Sequence, residues 1–328
     1  MNSDLVCRAC GAGGGFSQHC VREMNFGSEE PFGYLECVNC GTLQIRAVPA
    51  DLSRHYPPDY LGSYNGFDSP SIDTLRTSIH DFIQRQRTHF LLRGWTPIGW
   101  AATKVYMDEL APHLLALRPI NLRKTQRILD VGCGPGYLLY RLQQSGYKHL
   151  FGQDPFQKET VPGIRVHRGS LDDLLGQFDL IMLHHSLEHA PDPLQLLIDL
   201  KRLSAPGGSL LVRIPLAASE AWIQYNINWY QIDAPRHLVI PSRKGMDILV
   251  RRAGYQIVQV QYDSDETQFL CSEQYLRGVP LRNPQSYFNN ERQTMFSRAE
   301  IAAAKARSRK ANRRERGDQA CFYLRVAT

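Results

Sequence analysis

The chain has no stretch approaching the roughly 20 apolar residues needed to cross a bilayer, so membrane insertion is not expected. Its start, Met1-Asn-Ser-Asp-Leu-Val-Cys7, lacks a basic patch followed by an apolar run; no secretory signal is read there, and a cytoplasmic location is expected. Strong charge is also missing. A formal charge of +6 on 328 residues does not by itself imply nucleic-acid binding, and a four-thiolate zinc site would lower it to about +4. No internal repeat is found. What remains is the balance of an ordinary globular protein, 43% apolar and 21% charged, with enough chain for one large domain and a smaller accessory one.

Three regions differ in texture. Residues 1–60 are rich in Cys, Gly and Pro and are expected to form a zinc ribbon. Residues 61–122 read as a helical connector, with Leu75, Ile79, Phe82 and Ile83 recurring at helical spacing. Residues 123–328 alternate short apolar runs with helical segments, which predicts an α/β domain with a mostly parallel sheet. Strands are expected at 127–131, 149–153, 164–168, 178–184, 209–214, 256–262 and 320–326, and helices near 137–145, 191–203 and 243–253. Pro206-Gly-Gly208 and Ala253-Gly-Tyr255 read as helix stops. The stretch 265–318 is too long for a bare connection and should contain structure of its own, including a basic helix from Ser297 to Arg316. The last strand, after that detour, is expected to close the sheet antiparallel.

Eight cysteines without a secretion signal favour metal binding over disulfides. Cys7-Arg-Ala-Cys10-Gly11 and Cys37-Val-Asn-Cys40-Gly41 are matched knuckles. Two Cys-x-x-Cys pairs supply the four thiolates of a structural tetrahedral zinc site. In a ribbon this small the metal would supply much of the stability.

The strongest signal is Ile128-Leu-Asp-Val-Gly-Cys-Gly-Pro-Gly-Tyr137, a strand ending in an acid, then a glycine turn entering a helix. Such a turn lets backbone approach a ligand and offers helix N–H groups to an anion. A dinucleotide fold uses the same device, but the third glycine of G-x-G-x-x-G is replaced by Tyr137. Asp130 would also repel a pyrophosphate, whereas it would attract the ammonium of a methionine moiety. Asp154, ending the next strand, can accept hydrogen bonds from ribose hydroxyls. Together with Phe178-Asp-Leu-Ile-Met-Leu183 and Pro206-Gly-Gly208, residues 125–262 resemble the class I S-adenosylmethionine (SAM) dependent methyltransferases.

That resemblance implies a Rossmann-like seven-stranded domain with SAM as cofactor. It implies that Gly132, Gly134 and Gly136 line the methionine and ribose, with Asp130 near the amino group and Asp154 on the ribose. Gly169-Ser-Leu-Asp-Asp173 matches the adenine loop, giving Ser170, Leu171 and Asp172 as contacts; Ser170 stands where many members have an acid. His184 lies at the strand tip near the sulfonium. His185-x-x-Glu188-His189 also imitates a helical metal motif, although Glu188 and His189 could equally open a helix.

The zinc knuckles, a Pro-containing turn and the Tyr-rich Tyr56-Pro-Pro-Asp-Tyr60 resemble bacterial sugar or polysaccharide methyltransferases. The expected acceptor is therefore a hydroxyl, less readily a carbon, of a sugar or nucleotide sugar. The segment from Tyr225 to His237 concentrates aromatic rings that can stack on sugars. It gives His237 as candidate base, with Arg236 or Tyr225 orienting the acceptor and His185 as second candidate. An RNA methyltransferase is the alternative, supported by the basic helix, and a non-catalytic SAM-binding protein is the third reading.

Overall fold

A computed structural model describes residues 5–57, 74–105, 110–157, 159–289 and 294–327. Three short strands come first, β1 (Phe16–Arg22), β2 (Pro31–Cys37) and β3 (Leu43–Ile45), then three helices, α1 (Thr74–Arg93), α2 (Pro97–Val105) and α3 (Ala111–Leu117). Alternation follows with β4 (Arg127–Val131), α4 (Tyr137–Gln144), β5 (His149–Gln153), β6 (Val166–His167), β7 (Phe178–His184), α5 (Pro193–Leu203) and β8 (Ser204–Pro215). The remainder is α6 (Glu220–Tyr225), β9 (Val239–Ile240), α7 (Arg243–Arg252), β10 (Tyr255–Tyr262), α8 (Thr267–Leu276), α9 (Arg298–Arg313) and β11 (Gln319–Val326).

The large sheet has seven strands in the order β10-β11-β8-β7-β4-β5-β6. β4 pairs in parallel with both β5 and β7, and its apolar run fits that central place, with Ile128 and Leu129 wholly buried. β11 pairs antiparallel with β10, as expected of the closing strand. This is the Rossmann-like, mostly parallel α/β architecture expected of residues 123–328. A second sheet, β1-β2-β3-β9, carries the cysteine knuckles; its outer hairpin runs in register from Phe16↔Cys37 to Arg22↔Pro31.

The chain divides into two compact units, Met1–His55 with His185–Ile198 and Val212–Thr328, and Tyr56–His184 with Asp199–Leu211. The core of the first unit gathers Tyr34, Leu43, Ile45, Trp222, Trp229 and Phe269. No described helix is long and apolar enough to cross a membrane.

Several element boundaries differ from expectation for local reasons. The third strand shrinks from 164–168 to Val166–His167 because the chain is still turning at Gly163 (φ +83°), where Ile164 N–H bonds Val161 O. The strand expected at 209–214 starts earlier, at Ser204, so Pro206-Gly-Gly208 lies inside β8. Gly208 is needed there: a Cβ would lie 2.9 Å from Ala205 O and 3.0 Å from Phe178 O. In α1, Ile79 and Phe82 are exposed, so their helical spacing does not mark a core face. Pro58–Tyr60, the connector residues 61–73 and the side chain of Leu75 lie outside the described residues. The 265–318 stretch does contain helices. α9 opens with a capping box in which Ser297 Oγ accepts from Glu300 N–H at 3.2 Å and Glu300 Oε2 accepts from Ser297 N–H at 2.7 Å.

Candidate functional site

In the second unit, the chain leaves β4 through glycines that only a left-handed backbone permits: Gly132, Gly134 and Gly136 have φ of +73°, +53° and +91°. Gly136 is also confined, since a Cβ would sit 2.7 Å from Ile164 Cγ2, while at Gly134 it would meet nothing within 4 Å among the described residues. The turn is tied to β5 by Gly132 N–H on Gln153 O at 2.8 Å and by Gly134 N–H on Asp154 Oδ2 at 2.9 Å. Asp154 Oδ1 also accepts from the N–H groups of Phe156 (3.0 Å) and Gln157 (3.1 Å). The proposed ribose ligand thus also shapes the glycine turn.

Beside this turn lies a small, partly open pocket lined by Leu110, His113, Asp130, Gly132, Tyr137 and His184. The His113 and His184 rings are 4.8 Å apart. Asp130 is 4% exposed, and burial together with the nearby Asp154 charge pushes its carboxyl up to about 8. A cation entering the cavity would offset both effects. Ser170, Leu171 and Asp172 do not line this cavity. They form a turn with Ser170 and Asp172 exposed and Leu171 half-buried, where Ser170 Oγ accepts from Asp172 N–H at 3.2 Å.

In the first unit, Cys7, Cys10, Cys37 and Cys40 have their four Sγ atoms within 4.8 Å of one another. The Cys7–Cys40 and Cys10–Cys37 separations are both 3.7 Å. A zinc tetrathiolate with Zn–S of about 2.3 Å has tetrahedron edges of about 3.8 Å, so the donors fit that metal. Gly11 (φ +76°) and Gly41 (φ +72°) complete each knuckle, their N–H groups bonding Cys7 O and Cys37 O. The hydrogen bond between Cys7 and Cys40 holds Cys40 down to about 5 and pushes Cys7 up. α7 closes over the second knuckle through Gly245, where a Cβ would come within 2.2 Å of Thr42 Oγ1. Lys244 donates to Asn39 O, and Arg252 Nη1 donates to Ala9 O at 2.7 Å.

The expected acceptor-binding segment is largely interior. Tyr225, at the end of α6, is 6% exposed and Trp229 1%. Arg236 is fully buried and bonds Asp233 (2.7–3.0 Å), Glu23 Oε1 (2.6 Å) and His55 O (3.1 Å). Burial opposes ionisation of Asp233, but Arg236 overcomes it and holds the carboxyl well below the usual range. His237 donates from Nδ1 to Gln231 O at 2.7 Å, and its Nε2 lies 4.0 Å from Glu188 Oε1.

His185 does not begin a helix. It has φ +53° after β7, and Leu187–His189 is a single 3-10 turn. This corrects the helical metal motif, since His185 and His189 do not share a helix face. His185 instead accepts from Arg213 Nη1 at Nε2 (2.7 Å) and donates from Nδ1 to Glu188 Oε1 (3.1 Å). Glu188 is wholly buried; desolvation pushes it up, but the His185 hydrogen bond together with the charges of His185, His237 and His189 brings it down to about 2. His189, half-buried beside His237, falls to about 4 through desolvation and the His237 charge. Glu23 and His113 were missed because neither sits in a recognisable motif. Asp233 was visible only as a member of the Tyr225–His237 segment.

Residues 103–260 match a family model described as a methyltransferase domain. The chain is 27% identical over 186 residues to a tRNA U34 carboxymethyltransferase of Hydrogenovibrio crunogenus, covering 49% of this chain and 51% of that protein. It is 34% identical over 119 residues to the same-named protein of Vibrio cholerae, covering 32% and 35%. Among solved structures it resembles a SAM-dependent methyltransferase of Archaeoglobus fulgidus, at 19% identity and TM-score 0.44, over 69% of this chain and 98% of that one. The chain spans about half the length of the curated relatives it matches first. It carries a methyltransferase domain. The relatives overturn the sugar acceptor and the small-molecule partner expected from the resemblance to sugar methyltransferases: their names specify tRNA, which falls with the RNA alternative.

Proposed function

We propose that this chain is a SAM-dependent methyltransferase acting on RNA. The cofactor reading is carried by Asp130, a buried carboxyl raised to about 8 beside a glycine turn, in a cavity where a cationic amino group would restore its charge. Asp130, Gly132, Gly134, Gly136 and Asp154 would hold SAM, with His184 at the cavity wall and Ser170, Leu171 and Asp172 offered to the adenine. SAM supplies an electrophilic methyl carbon on a sulfonium. The protein's contribution is to align the acceptor with it and exclude water. His237, with His185 as second candidate, would serve as base; the buried Arg236 would position His237 through Asp233, and Tyr225 would support the loop from the core.

The RNA reading is supported by the tRNA-directed relatives and by α9 with its following turn. Arg309, Lys310, Arg313, Arg314 and Arg316 are exposed there, while Arg307 is bound to Glu220 and Lys305 to Glu266. Such a stripe suits phosphate contacts, which set affinity without reading sequence. Cys7, Cys10, Cys37 and Cys40 would hold one structural zinc with no open position. Incubation with labelled SAM and a panel of tRNA and rRNA fragments, followed by nucleoside mass analysis, tests the reading. A methylated nucleoside is expected. Tight SAM binding with no labelled RNA in the panel would overturn it.

A further inference from the structure

Where the chain leaves the 3-10 turn at Leu187–His189, Leu238 N–H bonds Glu188 O at 2.7 Å and brings the segment before β9 alongside. This places one ligand atom each from Glu188, His189 and His237 within 4.8 Å of the others. The two imidazoles are held alike. His189 Nδ1 bonds Arg236 O at 2.9 Å and His237 Nδ1 bonds Gln231 O at 2.7 Å. A carbonyl only accepts, so each Nδ1 carries the proton, and Nε2 is the nitrogen of each ring that can ligate a metal.

Glu188 is fixed from the other side. Arg213 donates to His185 Nε2, which leaves the His185 proton on Nδ1, directed at Glu188 Oε1. The second oxygen, Oε2, is buried with no hydrogen-bond partner among the described residues, a costly state for a carboxylate. The 4.0 Å between His237 Nε2 and Glu188 Oε1 is too long for a hydrogen bond. One imidazole nitrogen from each histidine and a carboxylate oxygen are therefore gathered, and what they share is affinity for a cation.

We propose that Glu188, His189 and His237 bind one divalent transition-metal ion, through two imidazole Nε2 atoms and a carboxylate oxygen. Three atoms no more than 4.8 Å apart have a common point within about 2.8 Å of each. Bonds of about 2.0–2.2 Å then need an inward adjustment of well under 1 Å. The carbonyls on both Nδ1 atoms and His185 on Glu188 are the outer partners that orient metal ligands. Nitrogen and oxygen donors select zinc, iron or manganese over a soft ion. Three protein ligands leave a position for water or an acceptor oxygen, and His237 can act as base only while the ion is absent. The donor set differs from the 185–189 sequence motif, because His185 supports Glu188 and His237 takes its place.

The test uses the untagged full chain loaded with Co2+. Two ions per chain are expected, one giving the sulfur-to-metal charge transfer of a tetrathiolate and one giving only weak nitrogen–oxygen bands. His237→Ala and Glu188→Gln should each weaken the second ion by at least about 100-fold and leave the charge-transfer band intact, which also reports that the first unit is folded. A wild-type chain holding all its cobalt in the thiolate environment would overturn the proposal, as would variants that keep both ions. SAM and RNA binding do not enter the measurement, so it stands or falls apart from the proposed activity.

Discussion

Asp130→Asn should stabilise the cofactor-free protein while weakening SAM binding. Burial and Asp154 raise the Asp130 carboxyl from its ordinary 3.8 to about 8. The unfolded chain therefore releases this proton first, and folding loses about 1.4 kcal/mol per pH unit between those values. At pH 7 the loss reaches about 4 kcal/mol, which asparagine avoids at nearly the same shape. The same shift predicts how SAM binding responds to pH. If the ammonium requires ionised Asp130, the ionised fraction rises about ninefold from pH 6 to pH 7, and affinity should rise with it. Urea titration of the cofactor-free protein and calorimetric SAM titration at both pH values measure the two effects. A variant no more stable than wild type at pH 7, or one retaining the wild-type pH slope of SAM affinity, would refute the reasoning.

Replacing Arg236 with Met removes the cation between Glu23 and Asp233 and should cost about 3–5 kcal/mol in denaturant unfolding. Burial resists ionisation of both acids, but backbone N–H groups and Arg236 hold Glu23 low and Arg236 holds Asp233 low. The wild-type contribution is thus present above their ordinary pKa values and lost as pH falls below them, which acid titration of the two proteins should show. Gly245→Ala pushes a methyl to 2.2 Å from Thr42 Oγ1 and should destabilise by about 1–3 kcal/mol, read by thermal melting. Chelation of the tetrathiolate metal should melt β1–β3, with loss of strand signal in circular dichroism following zinc release. Replacing Arg309, Lys310, Arg313 and Arg314 with Gln should weaken RNA binding across sequences and lower the salt slope by roughly one for each phosphate no longer neutralised, with SAM affinity unchanged.

What could be read from the sequence was what neighbours in sequence determine. The glycine turn, the acid before it and the parallel strands follow from spacing over a few residues, and both knuckles follow from Cys-x-x-Cys-Gly. Local signals failed where a distant partner changes what a residue does. Pro206-Gly-Gly208 has the composition of a loop, yet it lies within β8, where a side chain at Gly208 would run into the carbonyls of Ala205 and Phe178. His185-x-x-Glu188-His189 has helical spacing, but a positive φ at His185 breaks that geometry, and the donor beside Glu188 and His189 comes from His237.

The segment from Tyr225 to His237 carries the largest consequence. Aromatic rings beside Asp, Arg and His suggest an exposed binding surface, because an isolated charge belongs in water. Here Arg236 is enclosed by Glu23 and Asp233, the first of them more than 200 residues away, and the neutralised group packs under Phe26. Once the charge is paired, the tryptophan and tyrosine beside it are free to form core, and Trp229 reaches Asp318 with its indole N–H at 3.0 Å. A sugar-stacking surface was thus inferred from residues that fold inward. The cations of α9 remain outside, where Arg309, Lys310 and Arg313 meet solvent along one helix. Acceptor recognition is therefore better sought on that exposed helix than in the buried aromatic segment.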